Sequence, residues 1–240
     1  NNSSDQTIES VLKKFSKVKI IDNNYNVGFT IAANQGAKSS IGKYLFFLNP
    51  DTRLDEDSLK KMLNKADDIH QLGALGPQII DENGIKRQSF WKEPTLTNTL
   101  LSISHLDFLN YNKNYKSEKF SSLKEVETLS GGAIFIKRSI FNEINAFNED
   151  LFWMEDIDLC KRLRKKGLRN FYLPETKIIH YSGKSSEKNY KIALSNQLKS
   201  KIKFFKIYHS KISTIFLSVV ILIILMIKTI LSFIFFPFSR

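Results

Sequence analysis

Sixteen consecutive residues, Ile212 to Ile227, carry no charge. This run limits what the chain can fold into more than any other feature. As a helix it reaches about 24 Å at about 1.5 Å per residue, short of a hydrocarbon core of about 30 Å. Extension through Lys228 to Phe236 supplies the length, with Lys228 snorkelling toward one interface. Just before it, Lys199, Lys201, Lys203, Lys206 and Lys211 are interleaved with Ile202, Phe204, Phe205, Ile207 and Tyr208. A buried core helix is the competing account, but a core helix seldom adjoins such a lysine belt. The expectation is a membrane-associated segment over 212–238, either spanning or lying as a shallow hairpin in one leaflet. A basic juxtamembrane segment over 187–211 precedes it and should face the cytoplasm.

The charge balance points the same way. The formal net charge is +12 over 240 residues. Lys184 to Arg240 hold ten Lys or Arg and one acid, Glu187, a net +9. The other 183 residues hold 26 bases and 23 acids, only +3. The excess lies beside the apolar run and marks a membrane surface. A nucleic-acid binder would carry it on the folded part with exposed aromatics, so no nucleic-acid partner is expected. The single Cys excludes an internal disulfide framework and a Cys-cluster zinc site.

Residues 1–186 read as one domain of alternating helix and strand. Helical patterns occupy 8–15, 29–40, 55–69 and 155–166, the last closed by Gly167. Strand patterns occupy 18–21, 44–48, 74–80, 126–129, 133–136 and 177–180. Residues 107–122 read as a polar linker. This alternation argues an α/β domain with a largely parallel sheet.

Several segments carry candidate chemistry, each with a plainer account beside it. Asn49-Pro50-Asp51 follows an apolar strand, where open α/β sheets bind ligands, and Asp51 there can hold a divalent cation on a diphosphate. A turn with an Asp cap explains it equally. Glu155-Asp156-Ile157-Asp158 crowds three carboxylates after Leu151-Phe152-Trp153-Met154. Crowding and desolvation raise carboxylate pKa values and suit a general base. Acids at a helix start with bases toward its end are also ordinary dipole pairing. Ser130-Gly131-Gly132 allows close backbone approach to a ligand, or forms a strand bulge. His180 ends an apolar strand and is a metal ligand or a structural His. Asn26-Val27-Gly28-Phe29, with Asn34 and Gly36, lacks the glycine spacing of a dinucleotide or P-loop site.

Taken in order, these segments resemble family 2 glycosyltransferases, in their bacterial rhamnosyltransferase-like branch. The match runs from about Asn1 to Ser186. It takes in Asn1-Asn2-Ser3-Ser4-Asp5, Asn26-x-Gly28-Phe29, Leu48-Asn49-Pro50-Asp51-Thr52 and Ser130-Gly131-Gly132-Ala133. Phe147-Asn148-Glu149, Glu155-Asp156-x-Asp158-Leu159, Arg162, Gly167, His180 and Ser185-Ser186 complete it. The resemblance implies a GT-A fold, a nucleotide-sugar donor, and Mn²⁺ or Mg²⁺, with His tilting the choice toward Mn²⁺. It implies Asp51 and His180 as metal ligands, and Asp156 as catalytic base with Glu155 beside it. Asp5, Asn26, Gly28, Asn34 and Asn49 fall on the nucleotide-sugar side. Gly131, Gly132, Trp153 and Asp158 fall on the sugar and acceptor side. The family normally opens with a strand and helix before the Asn1 motif, so the first βα unit is expected to be missing. Its Gln-x-x-Arg-Trp motif is absent, which favours single-sugar addition.

The expected activity is therefore inverting, metal-dependent transfer of one sugar to a lipid-linked or cell-surface glycan at the cytoplasmic face of the membrane. The alternatives are an inactive membrane-bound nucleotide-sugar or glycan binding module, and a nucleotidyltransferase.

Overall fold

A computed structural model of the chain describes residues 6–55, 57–104, 106, 116–181 and 190–235, with backbone only at 118, 190–193 and 232–235. Asp5, the Asn1 motif and Ser185-Ser186 lie outside these residues, as does most of the 107–122 linker. Its described remainder begins with a 3-10 turn at Ser117–Lys119.

Helix α1 (Thr7–Lys14) opens the described chain, followed by α2 (Phe29–Ser39), β1 (Tyr44–Leu48) and β2 (Thr52–Leu54). Next come α3 (Ser58–Asp68), β3 (Leu72–Ile80), β4 (Phe90–Trp91) and α4 (Leu96–Ile103). Strands β5 (Lys124–Val126), β6 (Thr128–Leu129) and β7 (Ala133–Lys137) lead to α5 (Arg138–Glu143) and α6 (Glu155–Lys165). The chain continues through β8 (Arg169–His180), α7 (Tyr190–Tyr208) and α8 (Lys211–Phe235).

The main sheet has the order β1-β7-β3-β8-β2, with β5 also on β8. Its central strands are near-continuous apolar runs because helices cover both faces. Phe135 of β7 points to one face, with Leu75, Met62 and Ala66, where α3 packs. Ile134 and Ile136 point to the other, where Leu159, Cys160 and Leu163 of α6 meet them. This is the two-residue strand period set against the helical i, i+1, i+4 stripe.

The expected parallel sheet is corrected. Among the described ladders only β3 with β8 is parallel. Strand β7 lies antiparallel between β1 and β3, so those two strands run in the same direction without touching. The βα alternation gives the direction of β1, β3 and β8 correctly. It carries no signal that a later strand slots between the first two. Val18–Ile21 is not a strand either. Val18 is exposed, and the segment joins none of the described ladders.

This topology sets the site. The carboxyl ends of β1, β3 and β8 and the amino end of β7 share one sheet edge. Leu48 pairs Ala133, and Thr52 pairs His180. At that edge β3 delivers Asp81, which its own turn uses: the carboxylate accepts from the amides of Asn83 and Ile85 and binds Arg87 at 2.7 Å.

Helices α7 and α8 are not a separate appendage. Phe204 and Phe205 of α7 and Leu217 and Ile221 of α8 are buried with Leu151 and Met154, just before α6. Beyond this seam α8 is mostly exposed, and Lys211–Leu231 is long and apolar enough to cross a membrane.

Candidate functional site

The shared sheet edge opens into a cleft of about 1910 Å³. Single-ligand pockets are about 300–1,000 Å³, so this one has room for two substrates.

One side is built on β1 and α2. The Gly28 amide donates to the Asn26 side chain at 3.0 Å, and Gly28 takes φ 86° as it starts α2. That left-handed conformation favours glycine. The Asn49 amide donates to the Gly132 carbonyl at 3.2 Å, and the Thr52 hydroxyl donates to the Asn49 carbonyl at 2.6 Å. These bonds turn the chain so that Asp51 faces β8. Its carboxylate lies 3.1 Å from His180 Nε2, and the Tyr181 amide donates to the Asp51 carbonyl at 2.9 Å. One hard oxygen donor and one imidazole nitrogen thus converge in the cleft, both partly exposed.

The floor is the start of α6. The Asp156 carboxylate accepts from the Gly131 amide at 2.9 Å and from its neighbour Ile157 at 2.8 Å. Burial outweighs these bonds and pushes its pKa up to about 6. Burial, and then the charge of Asp156, push Glu155 up to about 8. Glu155 Oε2 is buried with no hydrogen-bond partner among the described residues. Gly131 lies so close that a Cβ there would meet Asp156 Oδ2 at 3.3 Å.

Asn26, Gly28, Asn49, Asp51 and His180 all border the cleft, as do Gly131, Gly132, Trp153, Glu155 and Asp156. Two expected residues do not. Asn34 is used elsewhere: its amide donates to the Phe147 carbonyl and to Glu149, and its carbonyl accepts from the Phe147 amide, each at 3.0 Å. It ties α2 to the Phe147-Asn148-Glu149 segment. Asp158 is 1% exposed, its carboxylate engaged by Arg162 at 2.7 Å and by the Tyr208 hydroxyl at 2.6 Å. It joins α6 to α7. Cys160 is buried on α6, where burial lifts its thiol to about 12, so it is an inert core residue.

The opposite wall was not foreseen from sequence. It comes from Trp91, from Asn98 and Ser102 of α4, and from Gln197 and Lys201 of α7. The polar pairs fall at helical i, i+4 spacing. The α7 pair is present in the sequence but hidden among the lysines of the basic segment.

A protein-family model, Glycosyl transferase family 2, matches residues 1–145. The chain belongs to glycosyl transferase family 2. Curated proteins with related sequences include the N-acetylglucosaminyl-diphospho-decaprenol L-rhamnosyltransferase of Mycobacterium tuberculosis. It is 26% identical over 226 residues, covering 88% of this chain and 74% of the relative. The rhamnosyltransferase WbbL of Escherichia coli is 28% identical over 164 residues, covering 67% and 61%. Among solved structures, the fold is similar to the mannosyltransferase PcManGT from Pyrobaculum calidifontis in complex with GDP-Man and Mn²⁺. The TM-score is 0.54 at 15% identity, covering 85% of this chain and 53% of that one. The family 2 glycosyltransferase described here therefore has the GT-A fold. The family match ends at residue 145, before α6, so Glu155, Asp156 and His180 lie beyond it.

Proposed function

We propose that this glycosyltransferase transfers a single sugar from a nucleotide-diphosphate sugar to a lipid-linked saccharide, inverting the anomeric carbon. The observation that carries the reading is Asp156. Its carboxylate is fixed by the Gly131 amide at 2.9 Å on the cleft floor, with a pKa of about 6. A base poised just below neutrality is ionised at pH 7 yet still basic enough to take a hydroxyl proton. Glu155, at about 8, stays protonated there. The pair then holds one negative charge, and the Glu155 carboxyl is a hydrogen-bond donor beside the base. Attack by the acceptor oxygen from the Asp156 side displaces the nucleoside diphosphate on the opposite face of the sugar.

Asp51 and His180 fit a divalent cation by donor type, and the His nitrogen suits Mn²⁺ better than Mg²⁺. No cluster of three or more His, Cys, Asp or Glu occurs among the described residues, so the donor diphosphate would complete the coordination. The cation would neutralise the charge that builds on the leaving diphosphate. Asn26, Gly28 and Asn49 border the same cleft and suit the nucleotide sugar.

The acceptor class rests on two supports. The mycobacterial relative is named for a diphospho-decaprenol substrate. In this chain, α8 carries a 21-residue apolar stretch, about 32 Å at about 1.5 Å per residue, which matches a hydrocarbon core. The lysines of α7 would lie against anionic headgroups on the cytoplasmic side.

The test is transfer of labelled sugar from a panel of nucleotide sugars to lipid-diphosphate saccharides, with and without Mn²⁺. Asp156→Asn should abolish transfer while nucleotide binding survives. Normal transfer by that variant would remove Asp156 as the base.

A further inference from the structure

The Leu151-Phe152-Trp153-Met154 segment before α6 is seated on α7. Leu151 and Met154 are buried with Phe204 and Phe205 of α7. The Phe152 amide donates to the Ser200 hydroxyl at 3.1 Å, and Ser200 is itself buried. Lys203 donates to the Asp150 carbonyl at 3.0 Å. With Leu151 and Met154 held inward, the two aromatic residues between them turn outward. Phe152 and Trp153 both border the cleft.

Phe152 also reaches the other side of the site. A Cβ on Gly28 would meet two atoms of the Phe152 ring at 3.6 and 3.7 Å, ordinary van der Waals contact. The ring therefore lies against the turn that starts α2, while its backbone is tied to α7 on the opposite wall. Phe152 is 42% exposed and has surface left for a bound ligand.

The chemistry asks for a cover at this place. A carboxylate basic enough to take a proton from an acceptor hydroxyl takes one from water as well. The water oxygen would then bond to the anomeric carbon as the bond from that carbon to the diphosphate oxygen breaks. The nucleoside diphosphate leaves with the electron pair, Asp156 holds the proton, and free sugar is lost. A transferase has to keep water off the anomeric carbon until the acceptor arrives.

Building on the single-sugar transfer reading above, we propose that Phe152 suppresses hydrolysis of the donor. Its ring covers the donor-side turn at Gly28 and shields the bound sugar from water. Ser200 of α7 is the positioning residue that holds it there. An apolar ring offers water no hydrogen bond, so it dries that side of the sugar. Ser200 acts only through the Phe152 backbone, from a buried position outside the cleft lining.

The experiment incubates the full chain in detergent with Mn²⁺ and no acceptor. The donors are labelled UDP-glucose, UDP-N-acetylglucosamine, GDP-mannose and dTDP-L-rhamnose, and released free sugar is measured. The wild type should release sugar slowly. Phe152→Ala should release it about tenfold faster or more from the donor it uses, a gain that misfolding does not produce. Phe152→Tyr keeps the ring and should stay near wild type. Ser200→Ala should move in the same direction as Phe152→Ala, by a smaller factor. Adding Asp156→Asn to Phe152→Ala should abolish the release. An equal or lower rate in Phe152→Ala than in wild type would overturn the cover, and so would an equal gain in Phe152→Tyr. A gain that survives Asp156→Asn would leave the cover standing and remove Asp156 as the base, so the two failures are distinct.

Discussion

The Gly131 amide donates to the Asp156 carboxylate across 2.9 Å, joining the turn before β7 to the first turn of α6. The bond fixes one carboxylate oxygen against a rigid strand end and leaves the side chain bordering the cleft. A Cβ on residue 131 would press on that oxygen at 3.3 Å.

Gly131→Ala should therefore reduce turnover by about tenfold or more, the scale set by small displacements of reacting groups. Nucleotide affinity should hold within about twofold. Gly132→Ala is the control, since its Cβ would meet Ser130 and Asn49 only at 3.6 and 3.8 Å. Steady-state kinetics on both variants checks the contrast. Equal effects would separate catalysis from the Gly131 contact.

Glu155 should make stability pH-dependent with a definite sign. Its pKa is about 8 folded against 4.5 for the free side chain. Between those values the folded chain holds a proton that the unfolded chain has released. Stability contributed by this group is full below about 4.5 and is lost as pH rises through about 8. Glu155→Gln should flatten this slope and raise stability at pH 8.5 by on the order of 1 kcal/mol or more, seen as a higher melting temperature. Thermal melts of both proteins at pH 5 and pH 8.5 test it. A wild type more stable at pH 8.5 than at pH 5, relative to the variant, would contradict the burial of Glu155.

The Tyr208 hydroxyl meets the buried Asp158 carboxylate at 2.6 Å. Lys161 and Lys165 flank its ring at 4.6 and 4.7 Å. Tyr208→Phe keeps the ring and removes the bond to a charged acceptor, a loss of about 1.5–3 kcal/mol. Differential scanning calorimetry should show that loss. Proteolysis should show α7 released earlier than in wild type. An unchanged melt would mean that Arg162 alone satisfies Asp158.

Removal of residues 211–240 should move the protein from the membrane fraction toward the soluble fraction. It would also expose Phe204, Phe205 and Leu151, which pack with α8. Detergent should therefore be needed to keep the shortened chain from aggregating. Sedimentation with membranes to the same extent as the full chain would dismiss α8 as the anchor.

Much of the site is legible in sequence because its parts are local. Asn49-Pro50-Asp51 announces itself as a polar turn after an apolar strand. Glu155 and Asp156 stand out as crowded carboxylates at a helix start, a pattern that dipole pairing also explains. Asn34 and Asp158 look the same in sequence, but their roles are decided by partners far along the chain. Phe147 is 113 residues from Asn34, and Tyr208 is 50 residues from Asp158. A polar residue on a helix carries no mark that says whether a ligand or another helix will satisfy it. The antiparallel β7 was hidden for the same reason: pairing order is a long-range property. The inward stripe of α7 was masked because a lysine facing solvent and a lysine facing a cleft share one letter.

Because α4 and α7 are at once a wall of the cleft and the seat of α8, the placement of α8 and the shape of that wall are mechanically linked. A substitution that repacks Leu100 or Ile202 to suit a different bilayer shifts Ser102 and Lys201 with it. The half built on β1 and α2 meets this wall through Phe152, which lies close to Gly28 and whose amide donates to the Ser200 hydroxyl of α7 at 3.1 Å. Chimeras that exchange α4 together with α7 and α8 should keep this wall intact, whereas a cut near residue 190 alone parts α4 from α7.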